Sequence, residues 1–372
     1  MSDDRERAYL YHLFRAPGMG AKTAIKITEE AGSAENAYRE HGLILSLTGD
    51  KAREAYAEFR RSDDPFSEYD KLVRQGIHFT ALPLPDYPEK LREIPGPPFG
   101  ITWIGSLPDD NTAAVSVIGA RQCSDYGRLM ADRFGADLAA AGIQVISGMA
   151  VGIDGLAQSA CVRAGGKSFA LLGSGVDVCY PKENRELYEL LRTNGGVISE
   201  NLPGTPPRRQ LFPMRNRLIS AFCDALLVIE ARKRSGTLIT VDMALEQGKD
   251  IFALPGRVTD ALSDGCNQLI RQGAGIATCA SDITDALFGT RTAAEGEYCL
   301  FDRNDTLNSD ERILLSKLDL TPRSVMDISG DMEKEGSPRS LAVIMELLME
   351  LCAKGAAVQE GGYFKLRASA ER

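Results

Sequence analysis

Between Val115 and Phe288, short apolar runs alternate with amphipathic helical stretches, and this alternation constrains the fold more than any other feature of the chain. The candidate strands are Val115–Ile118, Gln144–Ile146, Phe169–Leu172, Val197–Ile198, Leu226–Ile229 and Ile251–Leu254. Strands that alternate with helices predict a parallel, doubly wound, Rossmann-like sheet. Gly119, Gly148, Gly173, Gly175, Gly236 and Gly256 fall at strand ends or helix starts. At that edge of an open α/β sheet, backbone N–H groups and helix N-termini converge on anions. The same glycines also serve to make tight turns.

The flanks read differently. Residues 1–75 carry Tyr9, Leu10, Leu13 and Phe14 at helical spacing, a break at Pro17-Gly18-Met19-Gly20, and a second helix through Ala24 and Ile27. This pattern predicts a small all-helical domain of the helix-hairpin-helix or SAM-like kind, either phosphate-contacting or simply a packing module. Six prolines between Pro83 and Pro98 oppose regular helix and predict an extended lead-in to the central domain, 76–290. Residues 291–308 are polar and aperiodic and read as a linker. From 309 to 372, helices near Arg312–Leu318, Val325–Ile328 and Leu341–Leu351 precede a hairpin, Ala357–Gln359 and Tyr363–Lys365 around Gly361-Gly362. Three helices plus a hairpin predict a winged helix. Its longest helix carries Glu346 and Glu350, so contact with protein is as good a reading as contact with DNA.

Composition narrows the function. The formal net charge of −9 opposes general coating of nucleic acid, so any DNA site has to be local. Two basic clusters qualify, Arg208, Arg209, Arg215 and Arg217, then Arg232, Lys233 and Arg234, with a solvated charged face as the alternative. The histidines are confined to His12, His41 and His78, and the eight cysteines form no Cys-x-x-Cys pair, so neither a zinc site nor His-dependent catalysis is expected in the centre of the chain. No P-loop is present, and Gly173-Ser174-Gly175 lacks the third glycine of a dinucleotide fingerprint, so no cofactor is expected. Asp125, Asp154, Asp177 and Glu230 lie near strand ends; Asp125 and Asp154 sit where helix caps belong. Without a membrane-length apolar run or a signal-peptide core, the expected location is the cytoplasm.

From Tyr87 to about Ala274 the order of short motifs resembles the DNA-processing protein A (DprA/Smf) family. The series runs through Tyr87-Pro88 with Pro97-Pro98, Ile118-Gly119-Ala120-Arg121, Ser147-Gly148-Met149-Ala150 with Gly152-Ile153-Asp154, and Gly173-Ser174-Gly175 with Tyr180-Pro181. It continues with Phe212-Pro213-Met214-Arg215-Asn216-Arg217, Ser235-Gly236-Thr237 with Thr240, Pro255-Gly256-Arg257 and Gly265-Cys266-Asn267.

The resemblance implies a non-enzymatic single-stranded DNA-binding protein that guards incoming DNA in natural transformation, helps load the RecA recombinase and dimerises through its Rossmann-like domain. Carried over residue by residue, it implies DNA contact at Arg121, Gly148, Gly173, Gly175, Lys182, Arg215, Asn216, Arg217, Ser235, Gly236 and Thr237. Guanidinium groups would clamp phosphates, and Tyr180 and Phe212 are either stacking faces for bases or core. Two departures stand out. Gln158 replaces a usual histidine and cannot become charged, and Ala120 replaces a common serine.

Two other classes compete. A nucleotide phosphoribohydrolase of the lysine-decarboxylase-like group would need acids where Ile239 and Thr240 stand. A winged-helix regulator would prefer one duplex site.

Overall fold

The computed structural model describes residues 2–289 and 307–367. The central region is a nine-stranded sheet of β1 (His78–Ala81), β2 (Gly100–Gly105), β3 (Ala114–Ile118), β4 (Gln144–Ser147), β5 (Ser168–Leu171), β6 (Gly195–Ser199), β7 (Ala225–Val228), β8 (Asp250–Ala253) and β9 (Gly275–Ile276), in the order β1-β2-β6-β5-β4-β3-β7-β8-β9. β3 to β9 run parallel; β1 and β2 extend one edge antiparallel. All six apolar runs became strands, each shifted by no more than two residues. The runs are mostly apolar because β3 to β7 are covered on both faces, with every residue buried, and the buried polar groups among them, such as Ser116 and Gln144, are hydrogen-bonded. Burying Leu226, Leu227 and Val228 of β7 stabilises the sheet by about 1.5–3 kcal/mol per side chain.

The chain leaves β3 for β4, β5 and β6 on one side and returns to β7, β8 and β9 on the other. The order therefore reverses between β3 and β7, and a crevice opens outside their carboxyl ends.

The proline-rich segment differs from the expected extended lead-in. It links β1 to β2 and holds one helical turn, Glu89–Arg92, with Pro88 as its N-cap. Proline is tolerated at a helix start, where its missing N–H is not needed. The Tyr87 hydroxyl donates to the Pro98 carbonyl at 2.6 Å and so ties the segment's two ends together. Lys90 pairs at 2.7 Å with Asp224, which also accepts the Ala114 N–H.

Residues 2–74 form helices, beginning with Ser2–Arg15 and Ala21–Ala31 on either side of the predicted Pro17–Gly20 break. Leu10, Leu13, Ile27, Ile44 and Tyr56 make a core continuous with Phe79 of β1 and Ile104 of β2. Beyond residue 307 lie helices Ser309–Leu315, Val325–Lys334 and Leu341–Ala353 and a hairpin, Ala357–Glu360 with Tyr363–Leu366, joined by the short strand Arg323–Ser324. Most of the expected 291–308 linker lies outside the described residues. No described helix is long and apolar enough to cross a membrane.

Candidate nucleic-acid interface

A cleft of about 870 Å³ occupies the reversal between β3 and β7. Its walls are the turn after β3 (119–122), Tyr180, the start of the helix Leu211–Ala221, and the loop and helix start at 231–240.

Its floor holds two buried charged groups, Asp154 and Arg215. Asp154 accepts the N–H groups of Gly119 (3.4 Å) and Gly148 (3.3 Å), joining the turns that follow β3 and β4. Asp154 is therefore not the cap predicted from sequence: Gly152 is the N-cap of the helix Ile153–Arg163. Asp125 is no cap either, because the Ser124 side chain takes that role by accepting the Gly127 N–H. Arg215, 5% exposed, donates to the carbonyls of Gly148 (3.0 Å) and Leu171. Burial raises the Asp154 carboxyl, opposed by Arg215. Burial also lowers the Arg215 guanidinium to about 10, a value that keeps it cationic at neutral pH.

Gln158 explains the first departure from the family pattern. It is fully buried, accepts the Met149 N–H at 3.0 Å and donates to Ser168 Oγ and the Phe169 carbonyl. Met149 has φ +53°, and Asn184 Nδ2 holds its carbonyl at 3.0 Å. A strained backbone of this kind costs about 1–3 kcal/mol, and these contacts offset it. Gln158 thus fixes the β4 turn from behind and does not line the cleft.

The rim is cationic and aromatic. Arg121 is exposed, with its guanidinium 5.7 Å from the Phe212 ring centroid; the Phe212 and Tyr180 rings lie 5.5 Å apart. Tyr180 is 40% exposed, which favours a stacking face over core. Arg209 and Arg232, both exposed, also line the cleft. Opposite them, Ser235 caps the helix Gly236–Glu246 by position alone, because its buried Oγ has no partner. Thr237 Oγ1 donates to the Gly119 carbonyl at 3.3 Å. An uncapped helix N-terminus facing a cleft is a ready anion site.

Arg121, Arg215, Asn216, Ser235, Gly236 and Thr237 are thus brought together around one cleft. The other carried-over residues are placed elsewhere. A Cβ at Gly148 would lie 2.7 Å from Arg215 Nη2, and one at Gly173 would lie 3.0 Å from Phe212 Cδ1, so protein already fills the space these glycines leave. Gly175 is packed against Leu202 and donates its N–H to Thr205. These turns accommodate Arg215 and Phe212; they are not open cradles for a strand. Lys182 is exposed on the turn Lys182–Asn184, outside the cleft lining. Arg217 pairs with Glu200, whose carboxyl is raised by burial, and does not line the cleft. Sequence reading saw Arg209 and Arg232 within basic clusters but did not assign them to the site.

The acids near the cleft are engaged in holding the fold. Glu230 accepts from Ser124 N (2.9 Å) and Ser124 Oγ, and Asp177 accepts the Gly204 N–H at 2.7 Å. Among the described residues no cluster of His, Cys, Asp or Glu side chains is arranged to hold a metal ion.

Fold and cleft together define a doubly wound α/β protein with a cation-rimmed cleft at its switch point. Residues 78–288 match the family model described as DNA recombination-mediator protein A, and the chain belongs to that family. It is 35% identical to protein Smf of Escherichia coli over 87% of each chain. It is 40% identical to DNA processing protein DprA of Streptococcus pneumoniae over 53% of this chain and 70% of that one. The X-ray structure of DNA processing protein A from Streptococcus pneumoniae matches with TM-score 0.66 and 33% identity, covering 74% of this chain and 96% of that one. A Helicobacter pylori DNA processing protein A structure, described as showing a single-stranded DNA binding mode, matches with TM-score 0.51 and 25% identity over 57% and 96% of the two chains.

Proposed function

We propose that this protein binds single-stranded DNA in the cleft between β3 and β7, protects the strand without cutting or joining it, and passes it to the RecA recombinase during DNA uptake and recombination. The observation that carries this reading is the array of Tyr180, Phe212 and Arg121 beside Arg209, Arg232 and the uncapped N-terminus at Ser235. Sequence-tolerant binding of a single strand needs flat π faces for bases and cations for phosphates, and both line this cleft. The DNA-contacting groups are Arg121, Arg209, Arg232, Asn216 and the Ser235–Thr237 turn. Arg215, Gly148 and Gly173 act indirectly by setting the floor and seating Phe212.

The protein works in the cytoplasm as a homodimer through its Rossmann-like domain, flanked by a helix-hairpin-helix (SAM-like) module and a winged helix. The single-stranded DNA binding described for the Helicobacter pylori relative supports the substrate. A nucleotide-hydrolase reading is not favoured, because Ile239 and Thr240 line the cleft where that chemistry needs acids, and Asp154 is buried and held by two backbone N–H groups.

The test is Arg121→Ala. It should weaken binding to all single-stranded sequences alike and flatten the salt dependence. Unchanged affinity in a folded variant would move the site elsewhere. Formation of recombinase filaments on strands precoated with single-strand-binding protein, with and without this protein, tests the hand-over.

A further inference from the structure

A second polar cavity lies away from the cleft, in the N-terminal helices. It measures about 430 Å³ and is lined by Tyr38, His41, Tyr56, Ala57, Arg60 and Arg61, with no carboxylate among them. Tyr56 is 1% exposed, and its hydroxyl has no partner. Arg60 Nε is likewise buried and unpartnered, although Nη2 donates to the Tyr38 carbonyl at 2.9 Å and the guanidinium sits 4.6 Å from the Tyr38 ring centroid. Arg61 spends only its Nε, on the Ala57 carbonyl at 3.0 Å. The nearby acid Asp63 is held by His12 at 2.7 Å and Arg15 at 2.6 Å.

Leaving buried donors unmade is costly, and a water accepting from Tyr56 would balance none of the positive charge. We propose that this cavity binds a phosphate ester, with Tyr56 Oη and Arg60 Nε donating to its oxygens and Arg61 countering its charge. A phosphate offers several acceptor oxygens to these convergent donors, and the remaining volume takes the esterified sugar. The site stands on its own residues and does not depend on what the central cleft binds.

The phosphate has two chemical sources, a free nucleotide or the backbone of a DNA strand. Full-length protein carrying tyrosine labelled with 13C at Cζ is titrated with thymidine 5′-monophosphate and, separately, with oligothymidylate lacking terminal phosphates. Each titration is run against chloride at equal ionic strength, and the Tyr56 resonance is assigned by its loss in Tyr56→Phe. The proposal expects saturable movement of that resonance with at least one probe, and about tenfold weaker response in Arg60→Met, the loss of one charge-assisted hydrogen bond. Movement with the nucleotide alone assigns the site to free phosphomonoesters, and movement with the oligonucleotide assigns it to the DNA backbone. No movement with either probe, or movement that persists undiminished in a folded Arg60→Met protein, overturns the proposal. Because the reporter lies in the N-terminal helices, failure here leaves the central-cleft reading untouched.

Discussion

Adding a single methyl group at Gly148 or at Gly236 separates the two roles that glycine plays around the cleft. At Gly148 the new Cβ would stand 2.7 Å from Arg215 Nη2 and 2.9 Å from Cζ, so the guanidinium has to move. Overpacking of this kind costs about 1–3 kcal/mol, and moving Arg215 also disturbs its buried hydrogen bonds to the Gly148 and Leu171 carbonyls. At Gly236, nothing of the protein lies within 4 Å of the added atom, and the backbone is not left-handed. Gly236→Ala should leave stability within about 0.5 kcal/mol. The methyl would instead stand at the helix N-terminus that faces the cleft, where a displaced phosphate loses one or more charge-assisted hydrogen bonds, about 1.5–3 kcal/mol or at least tenfold in affinity. Urea unfolding followed by circular dichroism and anisotropy titration with labelled oligonucleotide read the two effects. Gly148→Ala should fail mainly in stability and Gly236→Ala only in binding. A stable Gly148→Ala protein would refute the floor assignment, and full affinity in Gly236→Ala would refute phosphate docking at that helix.

Further outcomes follow from other residues. Phe212→Leu should keep the fold but weaken single-strand binding by about 1–3 kcal/mol per lost base stack, with little change in salt slope, as read by the same titration over salt. Tyr87→Phe removes the 2.6 Å bond to the Pro98 carbonyl and should cost about 1–3 kcal/mol in urea unfolding while leaving DNA affinity unchanged. His12 is fully buried, and burial lowers its ring below the ordinary value of 6.5 against the opposing pull of Asp63. A depressed histidine takes up protons on unfolding, so stability is fully present above pH 6.5 and is lost as pH falls below it. His12→Asn should flatten that part of the stability-versus-pH curve, measured by thermal melts between neutral and mildly acidic pH.

The alternation of apolar runs made the parallel strands legible, because strands buried on both faces are mostly apolar along their length. β1, β2 and β9 were not. β9 spans only Gly275–Ile276, and β1 and β2 flank a proline-rich segment whose breakers dominate its local signal. The residues of the cleft were largely legible as types but less so in role. Arg215 and Arg121 look alike in sequence, yet one is buried on the Gly148 and Leu171 carbonyls and the other is exposed beside Phe212. Only the crossing of β4, β5 and the helix Leu211–Ala221 decides which. The glycines mislead for the same reason: sequence marks where a Cβ is missing, not whether ligand or protein fills the space. Gln158 shows what a family pattern omits, since its place behind the β4 turn needs hydrogen bonds and no charge.

The most direct test of the central claim is anisotropy binding of the full-length protein to labelled single-stranded and duplex oligonucleotides of matched length over a range of salt. With Arg121, Arg209 and Arg232 each neutralising one phosphate, the account predicts preference for the single strand and a log–log salt slope of about −2, from roughly −0.7 per phosphate. Equal binding to duplex, or affinity to the single strand that is indifferent to salt, would contradict it.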